Sequence, residues 1–178
     1  MSFPTIKTID QLTRNLNMGA GYGGYNELFL AIELPKKEWE KYSTWKESRY
    51  TRNCISSCDE YELLLMSWGK EHASPIHSFT FQQGWIKVLE GELIIQRYEI
   101  DRDKLCCQKA ELITLSEGES TYLNDSMGFH QVLNGADGNS VSLHLNIAKV
   151  IEWEVFKECR KETILVKPLL DSKSDNCD

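Results

Sequence analysis

The chain has 178 residues, of which 41% are hydrophobic and 26% charged, which is ordinary for one globular domain with a sizeable core. Its formal net charge of −7 disfavours nucleic acid and anionic membranes as partners. No apolar run could cross a bilayer and the N-terminus lacks a secretion signal, so we expect a cytoplasmic protein. We also expect it to be a monomer.

The first part of the chain, residues 1 to about 48, is predicted to be a helical segment. Ile9, Leu12 and Leu16 follow helical spacing, and either Thr8 or Asp10 could cap this helix. A second helix is predicted after Pro35. Its aromatic residues at three-residue spacing, Trp39, Tyr42 and Trp45, are interpreted as a core face.

From Tyr50 onward the pattern changes to short apolar segments rich in β-branched and aromatic residues. These segments predict strands at 50–53, 61–68, 84–89, 92–98, 112–115, 121–123, 130–133 and 141–145. Turn residues separate them, and Gly91 permits a hairpin between two of them. The pattern predicts an all-β sandwich or small barrel in a single domain over 1–170, followed by a polar tail at 171–178 that frays.

The six cysteines are expected to be reduced thiols, because no secretion signal accompanies them. Cys54 and Cys58 have a zinc-like spacing. No second Cys or His pair at finger spacing follows them, so we interpret both as core or turn residues.

All four histidines, His72, His77, His130 and His144, fall in the predicted β region. A barrel gathers inward side chains from distant strands, so these imidazoles could share one site. Residues i and i+2 share a face of a strand, and a His-x-His pair can therefore hold a metal. Here the residue two positions after His77 is Phe79, whose phenyl ring cannot donate a lone pair.

Two further polar groups are candidates for the same interior. Ser142, His144 and Asn146 alternate with leucines, so the polar trio is expected to face a cavity or water. Tyr50 and Arg52 also share a face, and an inward arginine is costly unless an anion pairs with it. That anion is either the carboxylate of a substrate or an acidic residue of the chain, and the pattern alone does not decide between them.

With these residues in hand, the chain resembles the cysteine dioxygenase family of the cupin superfamily. The match runs from about residue 34 to 145. It is carried by 50–53 (YTRN), 68–72 (WGKEH), 76–77 (IH), 87–91 (KVLEG), 122–130 (YLNDSMGFH) and 141–145 (VSLHL). The resemblance implies a mainly β fold, a cupin β-barrel (double-stranded β-helix) with N-terminal helices packed on one side.

The resemblance also implies a site. In the family, three histidines hold a mononuclear non-haem Fe(II), and a small thiol takes both atoms of O₂ to become a sulfinic acid. Carried over by position, the metal ligands would be His77 and His130, and the substrate would meet Arg52, Tyr50 and Trp68. The catalytic relay beside the metal would comprise His144, Ser142 and Asn146.

Three positions depart from the family. The second ligand position is Phe79, the relay tyrosine is Asn146, and the cysteine that some members cross-link to that tyrosine is Gly84. We therefore expect Fe(II) to be weakly held or absent, and no Cys–Tyr thioether cofactor.

Three functions remain open at this point. The first is an oxidoreductase with an altered iron site that acts on a small thiol or amino acid and O₂. The second is a non-catalytic cupin, a pseudoenzyme that binds a small carboxylate or a protein partner. The third is a metal-free enzyme with His144 or His130 as general base.

Overall fold

A computed structural model of the protein describes residues 4–19, 24–78, 83–101, 103–104, 106–158 and 160–177. Phe79, Gln82 and Cys159 therefore lie outside the described residues.

The N-terminal part forms three short helices: α1 (Ile9–Asn17), α2 (Gly24–Leu30) and α3 (Lys36–Trp39), the last followed by a 3₁₀ turn. Of the two caps that the sequence offered, the Thr8 hydroxyl caps α1 by accepting a hydrogen bond from the Gln11 amide. The predicted aromatic face is wrong at one position. Trp39 is buried, but Trp45 lies beyond the helical turns and is 47% exposed. Among the described residues, no helix has both the length and the apolar character needed to span a membrane.

The rest of the described chain is built from strands. Their bounds are β1 (Thr51–Ser57), β2 (Tyr61–Trp68), β3 (Ile76–Ser78), β4 (Gln83–Glu90), β5 (Glu92–Asp101), β6 (Cys106–Ser116), β7 (Ser120–Asn124), β8 (Phe129–Asn134), β9 (Ser140–Ile147), β10 (Trp153–Lys157), β11 (Glu162–Val166) and β12 (Ser172–Lys173). Within the described residues they form two six-stranded sheets. The first has the order β12-β1-β2-β9-β4-β7 and the second the order β11-β10-β3-β8-β5-β6.

The first sheet is buried on both faces, which explains the apolar run at 63–66 in β2. Leu63 and Leu65 pack outward against α1, α2 and α3 in one hydrophobic cluster. Leu64 and Met66 point the other way and pack against residues of the second sheet. The two sheets thus enclose a barrel interior, with the helices covering one outer face. The predicted mainly β fold with helices on one side is confirmed.

The predicted hairpin at Gly91 is wrong, because β4 and β5 belong to different sheets. Gly91 has a φ of +82°, and a Cβ there would collide with the Ser140 hydroxyl. The position therefore requires glycine where the chain crosses from one sheet to the other.

The tail at 171–178 was predicted to fray, and its described residues are instead ordered against the first sheet. β12 pairs in parallel with β1, where Asn53 faces Ser172 and Cys54 faces Lys173. A disulfide joins Cys54 to Cys177, with the two Cα atoms 6.3 Å apart. The expectation of reduced thiols is wrong for these two residues, whereas Cys58, Cys106 and Cys107 are free. Backbone pairing and a disulfide hold the tail, and neither can be predicted from the polarity of its side chains.

Replacing Cys177 by Ser is expected to lower the free energy of unfolding by about 2–4 kcal/mol. The disulfide spans 123 residues of sequence, so its loss increases the entropy of the unfolded chain. Urea unfolding measures this difference, with Cys58→Ser as the control that removes a free thiol from the same strand region. Identical unfolding of the wild type with and without a reductant would contradict the assignment.

Candidate functional site

A cavity lies inside the barrel, between the two sheets. Its volume is about 30 Å³, enough for one or two water molecules. The predicted site residues that line it are Tyr50, Arg52, Trp68, His77, His130, His144 and Asn146. Strands distant in sequence therefore bring the proposed metal, substrate and relay residues to one place.

His77 and His130 are direct cross-strand partners on β3 and β8, and their ring centroids are 4.4 Å apart. The Nδ1 of His77 lies 2.8 Å from the Pro75 carbonyl oxygen, and that of His130 lies 3.4 Å from the Gly128 carbonyl oxygen. A carbonyl accepts only, so each Nδ1 carries a proton and each Nε2 carries the lone pair.

Both of these imidazoles are neutral at neutral pH. Burial, reinforced by the neighbouring His130, holds the pKa of His77 well below its ordinary value. Burial also lowers the pKa of His130 to about 4, against a smaller opposing effect of the Gly128 carbonyl. Neutral imidazoles oriented by carbonyl groups are the form in which histidine binds metals.

Two side chains of the site are suitable ligands for a ferrous ion. His77 and His130 supply two imidazoles of the right protonation state. Within the described ranges, no group of three or more His, Cys, Asp or Glu side chains is arranged to hold a metal ion. Gln83, whose amide oxygen could serve as a further donor, is exposed at the start of β4 and does not line the cavity. Phe79 and Gln82 lie outside the described residues.

A hydrogen-bond chain runs from Trp68 through Ser142 to His144. The Trp68 Nε1 donates to the Ser142 hydroxyl over 2.9 Å, and that hydroxyl lies 2.8 Å from His144 Nε2. The two hydrogen bonds fix the position of the imidazole ring. Burial, then the nearby Arg52, lower the pKa of His144 to about 3. His144 is therefore a neutral imidazole.

Arg52 is almost fully buried and has one acidic partner. Its Nη2 lies 3.4 Å from the Glu62 carboxylate, which also accepts a 3.1 Å hydrogen bond from the Asn146 amide. The sequence left two anions open for this arginine, a substrate carboxylate or an acidic residue of the chain. The structure shows the acidic residue, Glu62. The Nη1 of Arg52 is nevertheless buried without a hydrogen-bond partner among the described residues, so one edge of the guanidinium is still available to an anion.

Burial lowers the pKa of Arg52, and Glu62 raises it in partial compensation. A guanidinium stays protonated in proteins nonetheless, so the site holds a permanent positive charge. The same burial raises the pKa of Tyr50, whose ring stacks on Trp68 at a centroid distance of 4.6 Å. Tyr50 is therefore a neutral phenol in the wall of the cavity.

Two residues of the site were missed by sequence reasoning. Glu62 is the acidic residue within an otherwise apolar predicted strand, and that contrast was a usable signal. Trp153 gave no such signal, because nothing local relates it to the histidines. The centroid of its ring lies 5.0 Å from the guanidinium carbon of Arg52 and 4.4 Å from the centroid of the His77 ring.

The structure also shows where Gly84, Asn146 and His72 lie relative to the cavity. Gly84 and Asn146 are directly opposed across β4 and β9, which makes the two substituted family positions neighbours. His72 does not line the cavity. Its Nδ1 accepts a hydrogen bond from the Gly69 amide, and its Nε2 lies 3.0 Å from the Glu47 carbonyl oxygen, so it stabilises a turn.

The sequence model of the family Cysteine dioxygenase type I matches residues 4–158. Cysteine dioxygenase type 1 of Rattus norvegicus is 34% identical over 119 residues, which cover 65% of this chain and 59% of the rat protein. The protein of the same name from Homo sapiens is 33% identical with the same coverage. That from Danio rerio is 32% identical over 144 residues, covering 79% of this chain and 71% of the fish protein.

Solved structures support the same fold. A protein from Klebsiella pneumoniae described as having a double-stranded β-helix domain aligns with a TM-score of 0.54 and 10% identity, over 66% of this chain and 93% of that one. At such low identity this likeness shows the fold alone. The expected cupin barrel, or double-stranded β-helix, is therefore confirmed.

The buried histidines predict how the stability of the metal-free protein depends on pH. His130 has a pKa of about 4 when folded and an ordinary value of 6.5 when unfolded. Below pH 6.5 the unfolded chain therefore binds more protons, and stability falls as the pH falls towards 4. The loss for His130 approaches about 3 kcal/mol, and the stabilisation is fully present above about pH 6.5.

Urea unfolding of the wild type and of His130→Asn at pH 7.5, 6 and 5 tests this dependence. The variant should lose part of the slope, whereas His72→Asn, outside the cavity, should keep it. Equal slopes for the wild type and His130→Asn would contradict the buried, neutral state of this residue.

Proposed function

This chain belongs to the cysteine dioxygenase type I family, and we propose that it is a cysteine-dioxygenase-like oxidoreductase that acts on a small thiol or amino acid. Cysteine or a related thiol would be the substrate and O₂ the co-substrate. The chain spans about 59% of the length of the rat and human relatives that it matches, and its activity is proposed on the site itself.

One observation carries the proposal: a buried arginine with an unpaired edge and two neutral imidazoles line the same cavity. Arg52 can receive a carboxylate on Nη1, in a low-dielectric interior where a charge-assisted hydrogen bond is strong. His77 and His130 can place two donors beside it. A ligand that spans them needs a carboxylate at one end and a metal-binding group, such as a thiol, at the other.

The residues of the chain have separate tasks in this proposal. Arg52 binds and orients the substrate carboxylate. Tyr50 and Trp68 exclude water from the wall behind it, since their stacked rings are buried. Ser142, which is bonded to Trp68, holds the neutral ring of His144 in place at the cavity.

His77 and His130 would hold the ferrous ion. When bound, this ion supplies the one-electron chemistry by which O₂ can react with a thiolate. In the balanced reaction both oxygen atoms add to sulfur, which turns the thiol into a sulfinic acid. Asn146 takes no part as a phenol would, because its amide is bonded to Glu62.

The second candidate is a non-catalytic cupin that binds a small carboxylate or a protein partner. It is favoured by the engagement of Arg52 and Asn146 with Glu62, which satisfies much of the polar interior without any ligand. The phenyl ring in the second ligand position of the sequence agrees with it. Both candidates use Arg52, and they differ in whether thiol-dependent oxygen uptake occurs.

The arginine is tested by a variant that removes both buried charges, Arg52→Gln together with Glu62→Gln. Removing Arg52 alone would leave a buried carboxylate unpaired and destabilise the barrel by about 3–5 kcal/mol. The double variant should bind 3-mercaptopropionate at least about tenfold more weakly, because one charge-assisted hydrogen bond is lost.

Calorimetry of the metal-free protein measures this difference, with cysteamine as a ligand that lacks the carboxylate. Arg97→Gln, which removes a partly exposed ion pair with Glu111, should bind like the wild type. Unchanged binding of 3-mercaptopropionate by the double variant would remove Arg52 from the site.

The iron site is tested at the position that departs from the family. Phe79→His should raise the affinity for Fe(II), because strand alternation in the sequence puts residue 79 on the face of His77. Elemental analysis and competition with a ferrous chelator measure the affinity, with His72→Ala as a histidine variant outside the cavity. No gain in affinity would mean that His77 and His130 do not converge on one ion.

Oxygen uptake by the wild type, anaerobically loaded with Fe(II) and supplied with cysteine, then separates the two candidates. Uptake with formation of the sulfinic acid supports the oxidoreductase. Iron binding without uptake, or binding of 3-mercaptopropionate without iron, supports the non-catalytic protein.

A further inference from the structure

The indole of Trp153 closes the cavity on the side of Arg52. It lies over the guanidinium, 5.0 Å from its carbon, and against the His77 ring at a centroid distance of 4.4 Å. The cavity that it lines has a volume of about 30 Å³, enough for one or two water molecules. An amino-acid ligand therefore needs a side chain of the lining to move, and Trp153 is the lining residue whose ring lies over the guanidinium.

Trp153 lies on a strand that is paired on both sides, so its side chain can move without a change in the backbone. Trp153 pairs with Val166 of β11, and the next residue, Glu154, pairs with Ser78 of β3. Rotation about the side-chain torsions of Trp153 leaves both pairings intact. Such rotamer changes are fast and common at binding sites.

The position of the indole over Arg52 combines a favourable ring contact with an N–H group that lacks a partner among the described residues. A desolvated arginine attracts an aromatic face, and Arg52 is 3% exposed, so the contact favours closure. The Nε1 of Trp153, however, is buried and has no hydrogen-bond partner among the described residues. An unsatisfied donor opposes burial, so the indole is held mainly by its contacts with Arg52 and His77.

We propose that Trp153 is a gate that determines the size of the ligands that reach Arg52. The indole covers the face of the guanidinium, and when the ring swings away a carboxylate has room to reach the Nη1 edge. Short, unbranched thiol carboxylates fit beneath the partly displaced ring, whereas substituted ones meet it. This inference rests on the proposed function in taking Arg52 as the ligand-binding residue, and it adds a residue that selects among the ligands.

The gate can be tested without metal, ligand or turnover, by labelling arginine with phenylglyoxal. Labelling of Arg52, measured by peptide mass spectrometry in metal-free protein, should be slow in the wild type because the side chain is covered. In Trp153→Ala it should be at least about tenfold faster, the factor expected when one cation–π contact to a buried arginine is removed. Trp153→Phe should be intermediate, because a smaller ring still covers the guanidinium.

Trp45→Ala is the matched control, since this tryptophan is half-exposed beside a different surface groove. In Trp45→Ala, Arg52 should be labelled at the same rate as in the wild type. Circular dichroism and urea unfolding establish that each variant is folded before it is labelled. Equal labelling of Arg52 in the wild type and in folded Trp153→Ala overturns the gate.

Ligand selection supplies the second readout. Calorimetry of metal-free wild type and Trp153→Ala compares 3-mercaptopropionate with N-acetylcysteine. Removing the indole should raise the affinity for the bulkier ligand more than that for the smaller one. An equal change for both ligands overturns the role in size selection. Faster labelling of Arg52 in a protein that binds neither thiol would keep the gate and overturn the proposed function, so the two failures are distinguishable.

Discussion

A guanidinium ion inside a barrel has to be compensated by the groups that surround it, because it cannot reach water. Around Arg52 the compensation comes from a carboxylate and an aromatic face, and one nitrogen has no hydrogen-bond partner in the part of the chain that the structure describes. Glu62 balances the charge, and Trp153 covers the plane of the ion. The edge at Nη1 remains, and it lies in the cavity that the histidines line. The site is organised by this incomplete compensation, since a fully paired arginine would have nothing to offer a ligand.

The disulfide and the ordered tail act on the same residue from outside the barrel. The side chain of Asp171 accepts hydrogen bonds from Arg49 and from the Arg52 backbone amide, and its own amide donates to the Arg52 carbonyl over 2.7 Å. Burial raises the pKa of this carboxyl, but hydrogen bonds from Arg49 and Lys46 outweigh it and hold the pKa well below its usual range. The carboxylate therefore stays charged. The tail thus fixes the backbone of the strand that carries the arginine, and the Cys54–Cys177 bond ties it two residues further along.

Most of the barrel and much of the site could be predicted from the sequence because they rest on alternation. Strand periodicity put Ser142, His144 and Asn146 on one face, and the structure places Leu143 and Leu145 on the other, against the helices. The same reasoning paired Tyr50 with Arg52. Local patterns could not give Glu62 and Trp153, since each contacts Arg52 through the packing of distant strands. They also could not give the tail, whose polar residues are held by backbone pairing and a disulfide.

Asparagine replaces the relay tyrosine of the family at position 146, and Glu62 gives this asparagine a partner in the interior. Asn146 faces Gly84 across the strands, so no covalent cross-link between these two positions is chemically available. Instead the Asn146 amide donates to Glu62, and Glu62 in turn meets Arg52. The polar face of β9 is therefore connected to the arginine by a carboxylate. Where the family has a phenol, Asn146 thus supports Arg52, the residue that we propose binds the carboxylate. The interior has been rebuilt around the charge of Arg52, and chemistry at this site has to begin from a ligand that this charge attracts.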